Sequence, residues 1–332
     1  MEGERKNGAE APAIKEQTLA KFFPTRKEAE GAKGMIGYAA CIWRILLPVV
    51  LKQLFRLFLV TRNCFCYIIF FEKPEGIFMS NQKKCINHAI VSFISAKGGV
   101  GTSTLAKEMA IVYSKEVSVC VIDFAFSCPA QSALFHVLPT KTVEDLFPST
   151  RHHKNTLSWE ELEPYLTLVP DRNIHLLPCR MMKGSYPLTS DQILQLVYSL
   201  EMHFDLILID ADLSSSDAAA KIVMLSDLCI MTVNDTENAI KISQRFRRLL
   251  TTKEISYDHM KLLLNQVTPK ERMYSGKDIE NLLHIPLLLS INQFDQVWKY
   301  NNSYLSLCED PENPIYPSLM LLKNLLTNLL EE

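Results

Sequence analysis

The 332 residues are 48% hydrophobic and 22% charged, with 11 glycines and 16 prolines, which excludes a collagenous or wholly disordered chain and leaves room for one large or two modest domains. A formal net charge of −2 gives no overall basic character, and so no global reason to expect nucleic acid as a partner. The charge is unevenly divided: residues 1–78 hold 12 Lys and Arg against 8 Asp and Glu, the rest 23 against 29.

Residues 1–34 are polar, charged and aperiodic, the pattern of a disordered tail. From Met35 to Phe71 the chain turns apolar, but Arg44, Lys52, Arg56 and Arg62 interrupt it, so no uncharged window of about 20 residues is available for a spanning helix. Two readings of this front part stay open. One is a basic amphipathic helix at a membrane surface, and the other an upstream translation ahead of a working start at Met79. Either way residues 1–78 stand apart, and 79–332 have the size of a single α/β domain. The nine cysteines (Cys41, Cys64, Cys66, Cys85, Cys120, Cys128, Cys179, Cys229, Cys308) are scattered, with no Cys-x-x-Cys pair and no His at zinc-finger spacing. They read as reduced thiols in a cytoplasmic chain.

Residues 89–95 are β-branched and aromatic without polar alternation, as expected of a strand covered on both faces. This run leads directly into Lys97-Gly98-Gly99-Val100-Gly101-Thr102-Ser103-Thr104, after which a helical pattern opens. Strand, glycine loop and helix together form a phosphate cradle: glycines let backbone N–H groups converge on phosphate oxygens, and the helix N-terminus adds partial positive charge. A hydroxyl at the end of the loop, Ser103, is placed to meet the Mg²⁺ that accompanies a nucleotide. The general pattern G-x-x-x-x-G-K-[ST] is not met literally, because Thr102 stands where the lysine belongs.

These eight residues resemble the deviant Walker A motif of the MinD/ParA family, K-G-G-x-G-K-[ST], and the Thr variant resembles the TadZ/CpaE-type pilus-assembly branch, in which the loop lysine is often missing. The resemblance implies a doubly wound, mostly parallel P-loop α/β domain over residues 79–332, with ATP and Mg²⁺ as cofactors. It implies that Lys97 crosses a dimer interface to the partner's phosphates, as a catalytic and binding residue of an ATP-sandwich homodimer. Gly98, Gly99, Val100, Gly101, Thr102, Ser103 and Thr104 would cradle the nucleotide. A threonine hydroxyl offers one neutral hydrogen bond where a lysine offers full charge, so binding is expected to survive and hydrolysis to be weak or absent.

Further along, residues 117–123 read as a second buried strand ending in Asp123, available to the metal shell and to catalysis. Where the family carries a second acid this chain has Ala125, a further departure from a hydrolytic site. The loop 127–132 corresponds to the family's first switch. Helical periodicity runs from Thr189 to Met202 and from Thr236 to Thr251, the latter carrying Arg245, Arg247 and Arg248, read as a solvated face. Residues 205–210 form an apolar strand closed by Asp210, in the manner of a Walker B motif, so Asp210 joins Ser103 and Asp123 as a metal-site candidate. Strands 228–234 and 261–265 follow, and the resemblance assigns Asn265 to the adenine. Ile285-Pro286 marks a late strand, and the amphipathic stretch 319–330, with only Lys323 and a final Glu331-Glu332, is expected to dock on the domain rather than on membrane.

The function implied is nucleotide-controlled dimerisation that localises or assembles a Tad/Flp-type pilus secretion machine through protein partners of that machine. The chain would be cytoplasmic, peripheral at the inner face of the membrane if the front segment anchors it, and without DNA. An active ParA/MinD-type ATPase for DNA partitioning or for division or flagellar placement, and a scaffold without nucleotide, remain the alternatives.

Overall fold

The computed structural model describes residue 86 and residues 88–147, 156–180, 188–213, 215–268 and 274–331. The tail and apolar segment of 1–78, with Cys41, Cys64, Cys66 and Cys85, lie outside the described residues. An eight-stranded sheet organises the fold, in the order β3-β4-β2-β5-β1-β6-β7-β8. Its strands are β1 (Ala89–Ser95), β2 (Val119–Phe124), β3 (Thr167–Leu168), β4 (Ile174–Leu177), β5 (Leu206–Asp212), β6 (Leu228–Val233), β7 (Met260–Val267) and β8 (Leu287–Asn292). All neighbours are parallel except β3, a two-residue edge strand antiparallel to β4.

The strand runs lack polar alternation because both faces of the sheet are covered. Ile90 and Ile94 of β1 point into one core, shared with Ile122, Ile209 and Leu262, while Val91 and Phe93 point into the other, with Val121, Leu208 and Leu263. Helix α1 (Thr102–Tyr113) packs into the second core with the C-terminal helix α10 (Tyr316–Glu331). Between them lie short α2 (Gln131–Leu134), α3 (Val143–Leu146) and α4 (Trp159–Leu162), then α5 (Ser190–Glu201), α6 (Ser216–Leu225), α7 (Glu237–Thr252), α8 (Gly276–Leu283) and α9 (Val297–Asn301).

The two long helices expected from periodicity form within a residue of the expected ends. Thr189 caps α5 with a reciprocal Gln192 contact, and Thr236 caps α7. Arg245 and Arg248 are exposed on α7, while Arg247 Nη1 donates to the Tyr257 hydroxyl at 3.4 Å. The C-terminal stretch docks, as its weak charge implied: Leu319, Leu322 and Leu326 are buried, and the Tyr113 hydroxyl donates to the Lys323 carbonyl at 2.9 Å. No helix among the described residues is long and apolar enough to cross a membrane.

Two features escaped the sequence patterns. The β3–β4 edge and the short helices α3 and α4 are too brief to show a period. Within α1, Lys107 and Glu108 are both buried and paired at 2.8 Å, with Glu108 Oε2 also accepting from the Cys308 N–H at 2.9 Å. Charged residues at adjacent helix positions ordinarily indicate a wet face; here α1 is enclosed by the sheet and the C-terminal segment.

Candidate functional site

β1 lies at the centre of the sheet, flanked by β5 and β6 rather than by β2, so the chain leaves β1 for one side and later returns for the other. Such a switch point opens a crevice at the carboxyl ends of the strands. A cleft of about 1070 Å³ occupies it, lined by the 98–105 loop and helix start together with Asp210, Asn265 and the residues after β8.

The glycine loop is shaped by backbone demands. Gly99 and Gly101 have φ of 82° and 88°, the left-handed region that side chains avoid. Gly101 is also the residue before α1, and a Cβ there would collide with the Asn265 amide nitrogen. Thus the loop closes tightly onto the helix start, where the Leu105 N–H donates to the Gly101 carbonyl at 3.0 Å. Two side chains from the end of β7 hold it from beneath: Asn265 Nδ2 donates to the Val100 carbonyl at 2.8 Å and Gln266 Nε2 to the Gly99 carbonyl at 2.9 Å. Gln266 itself adopts φ 57°, which turns its side chain toward the loop. Asn265, expected at the adenine, therefore sits in the site as a strap on the phosphate loop.

Lys97 is half-buried on the approach to the loop, and among the described residues it has no ion-pair partner. Gly98 is exposed and Ser103 and Thr104 are half-buried, Thr104 Oγ1 accepting from Asn301 Nδ2 at 3.3 Å. Thr102 is buried and its hydroxyl has no hydrogen-bond partner. An orphaned buried hydroxyl costs roughly 1–3 kcal/mol, which a phosphate oxygen would relieve.

The carboxylates meet because β2 and β5 are in register with Asp123 opposite Asp210. Both are buried. Burial raises both acids above the usual carboxylate range, and the neighbouring Asp210 charge raises Asp123 further. They differ in partners. Asp123 accepts three backbone N–H groups, from Ala125 at 3.1 Å, Ala130 at 3.1 Å and Gln131 at 3.0 Å, so its oxygens organise the turn into α2. Asp210 is hydrogen-bonded by the Ser103 side chain and by Gln131 Nε2 at 2.7 Å. One residue further out, Asp212 holds Ser127 by both its N–H, at 2.9 Å, and its hydroxyl.

Hard oxygen donors, the Ser103 hydroxyl and the Asp210 carboxylate, fit Mg²⁺, which keeps several waters and shares substrate phosphates rather than needing a protein cage. Accordingly, no cluster of three or more His, Cys, Asp or Glu suited to a metal exists among the described residues. Asp123 stands beside this pair, but its oxygens are occupied by the backbone. Gln131 is the residue of the site that motif reading gave no role beyond membership of the 127–132 segment; no spacing rule marks a glutamine at a helix start, and the register of β2 against β5 brings it here.

Residues 91–307 match the family model described as the CobQ/CobB/MinD/ParA nucleotide binding domain. The chain belongs to this family. Among curated relatives it is 26% identical over 221 residues to a putative septum site-determining protein MinD of Emiliania huxleyi, covering 64% of this chain and 77% of the relative. It is 25% identical over 230 residues to the septum site-determining protein MinD of Neisseria meningitidis serogroup B, covering 64% and 82%. Solved MinD/ParA structures share the fold. The MinD protein of Pyrococcus horikoshii complexed with Mg-ADP superposes with a TM-score of 0.59 at 17% identity, over 73% of this chain and 96% of that one. A ParA family ATPase from Chlorobium tepidum gives 0.59 at 16%, over 72% and 99%. The mostly parallel sheet with flanking helices is thus the fold of MinD/ParA P-loop proteins, and the chain is a MinD/ParA-like member of an ATPase family.

Proposed function

We propose that this chain is an ATP-binding switch of the deviant Walker A type, closest to the TadZ/CpaE-type branch, which binds ATP with Mg²⁺, dimerises on it, and uses the dimer to place or assemble a pilus secretion machine while hydrolysing slowly or not at all. The observation that carries this reading is the pairing of a fully formed backbone cradle with Thr102 in the lysine position, its hydroxyl buried and without a partner. Backbone N–H groups and the α1 terminus supply binding; developing charge on a transferred phosphoryl lacks the lysine that would neutralise it. Lys97, half-buried before the loop, is the cation available to a second subunit's nucleotide. Ala125 offers no side chain to orient a water, and Asp123 is engaged by three N–H groups. When bound, Mg²⁺ would neutralise phosphate charge, held by Ser103 and, through water, by Asp210.

The test is ATP binding, turnover and sedimentation of the full chain beside Lys97→Ala and Thr102→Lys. Expected are binding by the wild type, loss of the ATP-dependent dimer in Lys97→Ala, and turnover at least tenfold higher in Thr102→Lys, since one preorganised charge is worth about 10²–10³ in rate at an oxyanion-type site. Wild-type turnover at the Thr102→Lys rate would favour the active partitioning ATPase, and absence of ATP binding by either chain would favour the scaffold.

A further inference from the structure

Gln131 is fully buried at the start of α2 and crosses the crevice floor to the far side. Its Nε2 donates to two acceptors, the Ser103 carbonyl at 3.0 Å and Asp210 Oδ2 at 2.7 Å. Of these acceptors the Asp210 carboxylate is one of the two groups whose oxygens suit a divalent cation, while the other is the backbone carbonyl of Ser103, whose hydroxyl is the second such group. The same carboxamide leaves its Oε1 buried with no partner. An amide with two donors engaged and an acceptor unsatisfied is held by the donors, and the partial positive charge of its NH₂ stands against the buried Asp210 carboxylate. Its own backbone N–H is tied to Asp123. The residue is consequently anchored at both ends, by its backbone to the strand that carries Asp123 and by its Nε2 to the one that carries Asp210.

We propose that Gln131 is a positioning residue that gates the cation position: its carboxamide, braced on the Ser103 backbone carbonyl, occupies the Asp210 carboxylate as a neutral stand-in for the ion, and a divalent cation binds there by displacing it. This deepens the nucleotide reading and rests on it for the ion's companion. A hydrated cation placed on Asp210 takes over the carboxylate that Nε2 now contacts, and the freed amide brings Oε1 to a polar partner. The displacement is transmitted through the Asp123–Gln131 backbone contact to the 125–131 turn, so the state of the cation position is read out in the first-switch loop. Cation binding is thereby weakened in the resting chain and coupled to loop movement.

The experiment titrates the nucleotide-free full chain with Mn²⁺, read by the loss of free-ion electron paramagnetic resonance signal, in wild type and Gln131→Leu. Leucine keeps the apolar stem and removes both donors. Expected is at least fivefold tighter Mn²⁺ binding in Gln131→Leu. A smaller change, or no Mn²⁺ bound by either protein up to 10 mM (about 10⁻² M), overturns the proposal. If circular dichroism shows that Gln131→Leu does not fold, Gln131→Asn, one methylene too short to span both acceptors, carries the same expectation. A parallel titration with a fluorescent ADP, in EDTA and in Mg²⁺, separates the two ideas: no nucleotide binding in any form sinks the nucleotide reading, while the Mn²⁺ titration decides Gln131.

Discussion

The crevice has two sides built on opposite principles. On the phosphate-loop side, backbone geometry does the work, and side chains serve only to hold it: Gly99 and Gly101 take conformations that other residues avoid, and Asn265 and Gln266 strap the loop from β7. On the carboxylate side, at the ends of β2 and β5, side chains do the work and are already consumed, Asp123 by three N–H groups and Asp210 by Ser103 and Gln131. The difference teaches that the backbone cradle and the carboxylate pair are separable parts, which under the proposed function would hold a nucleotide and cleave it respectively. On the proposed function, Thr102 in the lysine position and Ala125 in the acid position would withhold charge and water positioning while leaving the cradle untouched.

The largest effect is expected from Gly101→Ala. The added Cβ meets the Asn265 amide at a residue with φ 88°, so the loop is strained and loses its strap, and nucleotide affinity should fall at least tenfold by fluorescent-nucleotide titration. A loss of less than tenfold would break the contrast, because the cradle would then not depend on backbone shape.

On the other side, the paired acids predict a pH dependence. Both carboxylates have folded-state values raised above the unfolded ones, so the folded chain holds their protons more tightly. Their favourable contribution is complete below the unfolded carboxylate value, about 4, and is lost as pH rises through the raised folded values. Thermal melts of wild type against Asp123→Asn across that window should show the variant falling less steeply; parallel curves would mean that Asp123 and Asp210 do not share the strain of ionisation.

Asn265→Ala sharpens the comparison with the smallest effect. It removes one hydrogen bond to the Val100 carbonyl, worth about 1 kcal/mol, and should weaken ATP and GTP by the same severalfold factor. A loss confined to adenine nucleotides would return Asn265 to base recognition.

What was legible in the chain follows from how local its causes are. The strands read at 89–95 and 205–210, the latter running on to Asp212 in the fold, were legible because a sheet covered on both faces needs continuous apolar residues. The phosphate loop was readable because a tight turn between strand and helix needs glycines at defined positions. Asn265 shows the limit: its place at the end of β7 could be read, but its partner is Val100, 165 residues away, reached through the β1–β6–β7 pairing. The Lys107–Glu108 pair carries no signal in the chain at all, since its enclosure arises only once α10 and the segment before it pack on α1.

By itself the amino-acid order determined the α/β class, the strand at 89–95, the loop that follows it and the threonine in the lysine position, all of which rest on neighbours within a few residues. Tertiary structure alone decided that Asp123 faces the backbone, that Asp210 faces Gln131, and that Asn265 supports the loop. These depend on strand register, which brings together groups far apart in sequence and assigns each buried polar atom its partner.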